Sequence, residues 1–339
     1  MAEEIENIVE KIFRTGKGIL AADESNATIQ KRFNLINLES TENSRRDYRE
    51  MLFSSKEAMK YISTILLYEE TLYQKTQDET SFVDLINDAG VLIGIKVDRG
   101  LKPCPMYPGE TVVAGLDDLD MRLKSYKEVG ACVAKWRAVL SVSDMLPSIA
   151  VVKSNMQILA RYAATCQSFG IVPIVEPEIL MDGSHTIDRC AEVTEFVLRT
   201  LFDELSDMRV CLEGLILKSN MILPGKDGDM VSDEEISTKT IRTLKRVVPS
   251  AVQGIAFLSG GQSEKDATSR LSAMNLVGNC PWKLSFSYGR ALQETALRTW
   301  QGKKENVVAA QRVLSHRAHM NSLASMGCWK ENLESGNGK

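Results

Sequence analysis

The 339-residue chain predicts an α/β protein, a TIM (β/α)8 barrel, on three observations. Eight short apolar runs alternate with amphipathic stretches from near the start to about residue 300, the pattern of a parallel sheet whose strands are joined by helices. Charged residues collect at the C-terminal ends of those runs. No GxGxxG follows the first run, which argues against the alternative of a doubly wound sheet, and such a sheet normally needs fewer strands.

Taken in order, the first run is GILAAD (18–23), leading into Asp23, Glu24 and Ser25. The second is ISTILLYEE (62–70), and the third, VLIGIKVD (91–98), carries Lys96 and Asp98. The fourth, CVAKWRAVL (132–140), carries Lys135 and Arg137, and the fifth, IVPIVEPE (171–178), ends Glu176-Pro177-Glu178. The sixth, CLEGLILK (211–218), ends on Lys218. The seventh, VQGIAFLS (252–259), and the eighth, KLSFSYG (283–289), run into Gly260-Gly261 and into Arg290. Between them lie helical patterns. Residues 185–205 carry Val193, Val197, Leu201 and Leu205 at four-residue spacing, and SDEE (232–235) reads as a capping box opening the next helix. One catalytic domain over residues 1–339 is expected, with a polar tail, expected to be mobile, from about residue 328.

Composition narrows the function. Hydrophobic residues at 44% and charged residues at 25% match an ordinary soluble globule and exclude collagen-like and disordered classes. The net charge of -4, with no Lys/Arg-rich run, gives no support for a nucleic-acid partner. The start, MAEEIENIVEKIF, is acidic and lacks a secretory signal, and no apolar run is long enough to span a bilayer, so a cytoplasmic protein without a membrane partner is expected. The seven cysteines are dispersed with no C-x-x-C pair and read as reduced core thiols. Only three histidines are present, none at the end of a strand-like run, which disfavours a catalytic Cys–His pair and a histidine-based metal site; neither metal nor cofactor is expected.

In a (β/α)8 barrel the reaction site is built at the C-terminal ends of the strands and in the loops beyond them. A lone acid or base at a strand end is commonly a helix cap or half of a structural ion pair. Three lysines, two arginines and several carboxylates converging on one end carry a large desolvation cost unless they pair or bind a ligand. The paired glycines of FLSGGQS (257–263), after the seventh strand, let an oxyanion approach the backbone, and Arg290 follows the eighth, so a phosphorylated ligand is expected. Chemistry that uses lysines and carboxylates without histidine points to a lysine nucleophile. Burial and neighbouring cations lower an amine from its ordinary pKa of about 10.4, and the neutral amine forms a Schiff base with a carbonyl. Lys218 and Lys135 are expected to hold down each other's pKa, with Glu176 or Glu178 moving protons.

The motifs GKGILAADES, GIKVD, AKWRAVL, GIVPIVEPEIL, LEGLILKSNM, GIAFLSGGQSE, FSYGRALQ and GKKEN resemble, in order and spacing, the class I fructose-1,6-bisphosphate aldolases of glycolysis, from about residue 16 to about 325. The resemblance implies that Lys218 is the Schiff-base lysine, with Glu176 the acid/base of imine formation and Glu178 its support. It implies that Asp23 accepts the C4 hydroxyl proton and that Lys135 polarises the site. It also implies a C1-phosphate site at Ser259, Gly260, Gly261, Gly289 and Arg290. The far phosphate falls to Ser25, Thr28, Lys96 and Arg137, with Lys31 and Arg32, the latter also a candidate phosphate ligand, close by. A phosphorylated sugar substrate and a homo-oligomer, a tetramer in many members, are implied too. Two departures stand out: Ser219 replaces the family's usual proline after the lysine, and no tyrosine follows Tyr288, whereas animal members end in one, so the tail resembles shorter bacterial relatives. Competing readings are a Schiff-base barrel enzyme acting on a monophosphate or on sedoheptulose bisphosphate, and a non-catalytic scaffold.

Overall fold

A ring of eight parallel strands closes in the computed structural model, which describes residues 2–335. The strands are β1 (Gly18–Ala22), β2 (Ile62–Leu67), β3 (Leu92–Lys96), β4 (Val133–Leu140), β5 (Val172–Ile179), β6 (Ile216–Ser219), β7 (Gly254–Phe257) and β8 (Lys283–Tyr288). Each pairs with its sequence neighbours, and β8 closes on β1 through Ile19 opposite Ser287. All eight apolar runs therefore hold one barrel strand.

Alternation along each strand sorts side chains between two layers. Inward-facing Ile19, Ala21, Leu66, Val133, Val172, Ile174, Ile216 and Ala256 form an apolar floor inside the barrel. The N-terminal helix Ala2–Ile12 seals that floor with Ile5, Val9 and Ile12, spaced to share one helix face, together with Phe13. Outward-facing residues such as Ile65, Ile95, Trp136, Val175, Leu217 and Phe257 join the larger core beneath the surrounding helices.

The sixth strand is shorter than its apolar run. Residues 211–214 form a turn, with Leu215 N–H donating to Leu212 C=O at 3.3 Å. A Cβ on Gly214 would fall 2.3 Å from Ile5 Cδ1, so the chain passes too close to the sealing helix to carry a side chain there. A hairpin of Leu101–Pro103 against Thr111–Val113 follows β3 and was not foreseen, because Pro103, Pro105 and Pro108 make the stretch read as loop. The helix expected from His185 begins at Ile187 behind the cap Thr186. At SDEE, Ser232 accepts from Glu235 N–H, but the Glu235 carboxylate pairs with Lys239 at 3.2 Å, so only half of the expected capping box forms.

All seven cysteines are free, yet only Cys166 and Cys190 are fully buried, and Cys328 is exposed, so the expectation of core thiols holds for two of them. Residues 328–335 are held against the body: Glu334 pairs with Arg317 at 2.7 Å and accepts from Trp329 Nε1 at 2.9 Å, and Glu331 meets Lys265 at 2.5 Å. The rest of the tail expected to be mobile, 336–339, lies outside the described residues. Among the described residues no helix is long and apolar enough to cross a membrane.

Candidate active site

The alternation that makes the barrel floor apolar makes its C-terminal mouth charged. Continuing each inward column gives Ile19, Ala21, Asp23 on β1 and beyond; Val133, Lys135, Arg137 on β4; Ile174, Glu176, Glu178 on β5; and Ile216, Lys218 on β6. Register then sets which of these meet. Lys96 lies opposite Lys135, Arg137 opposite Glu176, and the Val175–Leu217 pair brings Glu176 level with Lys218.

Four buried side chains form a row of alternating charge. Lys135 Nζ lies 2.8 Å from Asp23 Oδ2 and 3.3 Å from Glu176 Oε2, and Lys218 Nζ lies 3.0 Å from Glu176 Oε1. Two cations and two carboxylates cancel, which offsets the cost of removing four charges from water. Burial disfavours the Lys135 ammonium, but Asp23, Glu176 and Asp98 outweigh it and hold its pKa above the ordinary lysine value. The expectation that the two lysines depress one another is therefore wrong for Lys135: Glu176 stands between them and Asp23 flanks the far side. Burial raises Asp23, yet the Lys135 and Lys218 charges bring its carboxyl down to about 2. Glu176 is likewise lowered against burial by Lys218, Lys135 and Arg137.

The other predicted residues surround this row in a cleft of about 180 Å3. Ser25, Thr28, Arg32, Lys96, Arg137, Glu178, Ser259, Gly260, Gly289 and Arg290 all line it. Lys31 is exposed and does not. Gly261 sits one step behind the lining, where a Cβ would be 3.6 Å from Arg290 Nη2. Glu178 accepts from Arg137 Nε, and Arg137 lies opposite Glu176 in the ladder; Lys96 Nζ pairs with Asp98 Oδ1 at 2.6 Å. The turn after β7 needs its glycines: Gly260 and Gly261 have φ of 57° and 91°, and Gln262 N–H returns to Ser259 C=O at 3.0 Å. Ser263 then caps the helix Glu264–Val277, while Gly289 caps Arg290–Trp300 with Arg290 as its first residue. Both loops thus lead directly into helix N-termini, which favour anions.

Two polar lining residues lie outside the predicted set. Ser287 carries a buried hydroxyl without a hydrogen-bond partner among the described residues, and its inward position follows from the Ser285, Ser287 alternation on β8. Glu24 reads in the sequence only as a strand end, yet its carboxylate lines the cleft and pairs with buried Arg49 at 2.9 Å. Beside the nucleophile, Ser219 completes β6: it lies opposite Phe257, accepts from Leu258 N–H at 3.0 Å and donates its hydroxyl to Asn220 C=O at 3.1 Å. Among the described residues, no group of three or more histidine, cysteine or acidic side chains is placed to hold a metal ion.

The lowered carboxylates make stability pH-dependent. Asp23 sits near 2 when folded and at 3.8 as a free side chain, so its contribution is complete above pH 4 and is lost as pH falls from 4 to 2. That difference is worth about 2 kcal/mol. Urea unfolding between pH 6 and 2.5 is expected to show a steeper acid loss in the native chain than in Asp23→Asn; equal slopes would contradict it.

A closed barrel presenting a buried amine against a carboxylate at its C-terminal mouth, beside a glycine turn and an arginine suited to phosphate, is the architecture of a lysine-dependent lyase. A family model for fructose-bisphosphate aldolase class-I matches residues 4–339. The chain is 54% identical over 325 residues to the cytosolic fructose-bisphosphate aldolase 4 of Arabidopsis thaliana, covering 95% of this chain and 83% of that one. It is 46% identical over 330 residues to a probable class 1 fructose-bisphosphate aldolase of Xanthomonas campestris, covering 97% and 99%. A solved structure of fructose-bisphosphate aldolase from Plasmodium falciparum superposes with a TM-score of 0.96 at 47% identity, covering 97% and 96%. The chain belongs to the class I fructose-bisphosphate aldolases, lyases of the Schiff-base, metal-independent type.

Proposed function

We propose that this chain reversibly cleaves fructose 1,6-bisphosphate to dihydroxyacetone phosphate and glyceraldehyde 3-phosphate through an imine on Lys218. The observation that carries this reading is the row Asp23, Lys135, Glu176, Lys218, each side chain within 3.3 Å of the next. Lys218 gives a proton to Glu176 and attacks the C2 carbonyl. A second proton passes from the attacking nitrogen to the C2 oxygen, Glu176 returns the first to the resulting hydroxyl, water leaves, and the protonated imine forms. Asp23 then accepts the C4 hydroxyl proton as the C3–C4 bond breaks; the bonding electrons move into the iminium, giving an enamine on Lys218, and the aldehyde departs. A proton added at C3 restores the imine, and water hydrolyses it to release dihydroxyacetone phosphate and the Lys218 amine. Lys135, held cationic by its two carboxylates, keeps Asp23 and Glu176 ionised and ready to accept protons.

The Ser259–Gly261 turn with Gly289 and Arg290 is proposed to hold the C1 phosphate, and Ser25, Thr28, Arg32, Lys96 and Arg137 the far one. Basic groups on both sides of Lys218 favour a bisphosphate over the monophosphates used by other Schiff-base barrels. By its family the chain is further proposed to act in the cytoplasm as a homo-oligomer, a tetramer, which light scattering tests.

Turnover of fructose 1,6-bisphosphate, fructose 1-phosphate and sedoheptulose 1,7-bisphosphate discriminates the readings. Fructose 1,6-bisphosphate is expected to have the highest kcat/KM, unchanged by EDTA. An equal kcat/KM on the monophosphate, or loss of activity in EDTA, would overturn the assignment.

A further inference from the structure

The mechanism does not use Arg49, and its position is costly. It lies on the helix Glu42–Phe53, within the polar stretch ENSRRDYRE, yet it is only 3% exposed. Among the described residues its one charged partner is Glu24 Oε2 at 2.9 Å, an ion pair outside hydrogen-bond geometry; Nη2 donates to the Glu24 carbonyl at 3.4 Å, and Nη1 has no hydrogen-bond partner there. A buried ion pair of this kind is weak support for stability, since an apolar pair of similar volume serves as well. Its geometry is the more informative feature, because it grips the residue immediately after Asp23.

A second grip lies two residues before Asp23. Gln293, on the helix Arg290–Trp300, donates from Nε2 to the Ala21 carbonyl at 2.7 Å. Its own Oε1 accepts from the Tyr48 hydroxyl at 3.0 Å, which fixes the amide's orientation. Tyr48 precedes Arg49 on the same helix, lies under the guanidinium at 5.6 Å from ring centroid to Cζ, and packs on Phe33 and Trp300 at 5.7 and 5.4 Å. The strand has ended at Ala22, so Asp23 is no longer held by the barrel ladder.

Resting on the role proposed for Asp23, we infer that Arg49 and Gln293, the latter oriented by Tyr48, are positioning residues that hold the β1 exit on both sides of Asp23 and so aim its carboxylate at the C4 hydroxyl. Neither touches the substrate. The clamp serves the cleavage step and not imine formation, which takes place at Lys218 on the far side of the row.

That division provides the test. Arg49→Lys, Gln293→Met and Tyr48→Phe are compared with Asp23→Asn for cleavage kcat and, separately, for the rate of borohydride trapping of dihydroxyacetone phosphate on the enzyme. The expected result is a fall in kcat of roughly ten- to a hundredfold in Arg49→Lys and Gln293→Met, a smaller fall in Tyr48→Phe, and native trapping rates in all three. Tyr48→Phe removes a single hydroxyl and carries the test if a larger change prevents folding. Native kcat in the clamp variants beside a slow Asp23→Asn would overturn the inference alone, as would trapping that declines in step with kcat. Native kcat in Asp23→Asn would overturn the base assignment and the inference with it.

Discussion

Lys218→Ala is expected to lower cleavage kcat by roughly three orders of magnitude or more, because no other route to the imine remains. The fold is expected to survive. Removing one member of a buried ion pair is damaging when it strands the other, but here Glu176 keeps Lys135 at 3.3 Å, and the row still ends in a paired carboxylate. Circular dichroism and a cooperative urea transition would show the barrel intact beside the lost turnover. A near-native rate in a folded Lys218→Ala protein would remove the lysine from the chemistry.

Glu176→Gln should be the next most damaging change, and in a different way. Glutamine can neither take the Lys218 proton nor return one to the departing hydroxyl, so kcat should fall by roughly 10²–10⁴-fold. The substitution also leaves Lys135 and Lys218 facing each other across a neutral amide in a buried site. A stability loss of about 3–5 kcal/mol is expected on that account, read as a lower urea midpoint with an unchanged slope. Asp23 still pairs with Lys135, so the loss should fall mainly on imine formation, with trapping of dihydroxyacetone phosphate slowed as much as cleavage. Fast trapping with slow cleavage would instead move Glu176 to the bond-breaking step.

The barrel was legible because its strands are short apolar runs separated by amphipathic stretches, and charged residues fall in the inward columns of β4, β5 and β6 and just beyond β1. Lys135, Arg137, Glu176 and Glu178 could be placed at the mouth from two-residue alternation alone. What alternation does not contain is register. Whether Lys135 faces Lys218 or is interposed between carboxylates depends on how β4, β5 and β6 slide past one another, and the structure answers with Glu176 opposite Arg137 and level with Lys218, its carboxylate reaching Lys135 at 3.3 Å and Lys218 at 3.0 Å. For the same reason the mutual depression of the two amines, plausible from the residues, does not hold at Lys135.

Other features were hidden by local composition. Arg49 sits among charges that read as a solvated helix face, and only packing shows it buried against Glu24. The turn at 211–214 looks like strand because its apolar residues continue the run, while the constraint on Gly214 comes from Ile5, more than two hundred positions away. Ser219, flagged as a departure beside the nucleophile, proves to be a ladder residue: the strand itself supplies the restraint that a proline ring would provide.

The most direct test of the Lys218 imine is chemical trapping. The native protein is incubated with dihydroxyacetone phosphate, reduced with borohydride, digested and mapped by mass spectrometry. One covalent adduct on the peptide carrying Lys218, absent from Lys218→Ala, is the expected result; an adduct on Lys135, or no adduct under conditions of full turnover, would contradict it.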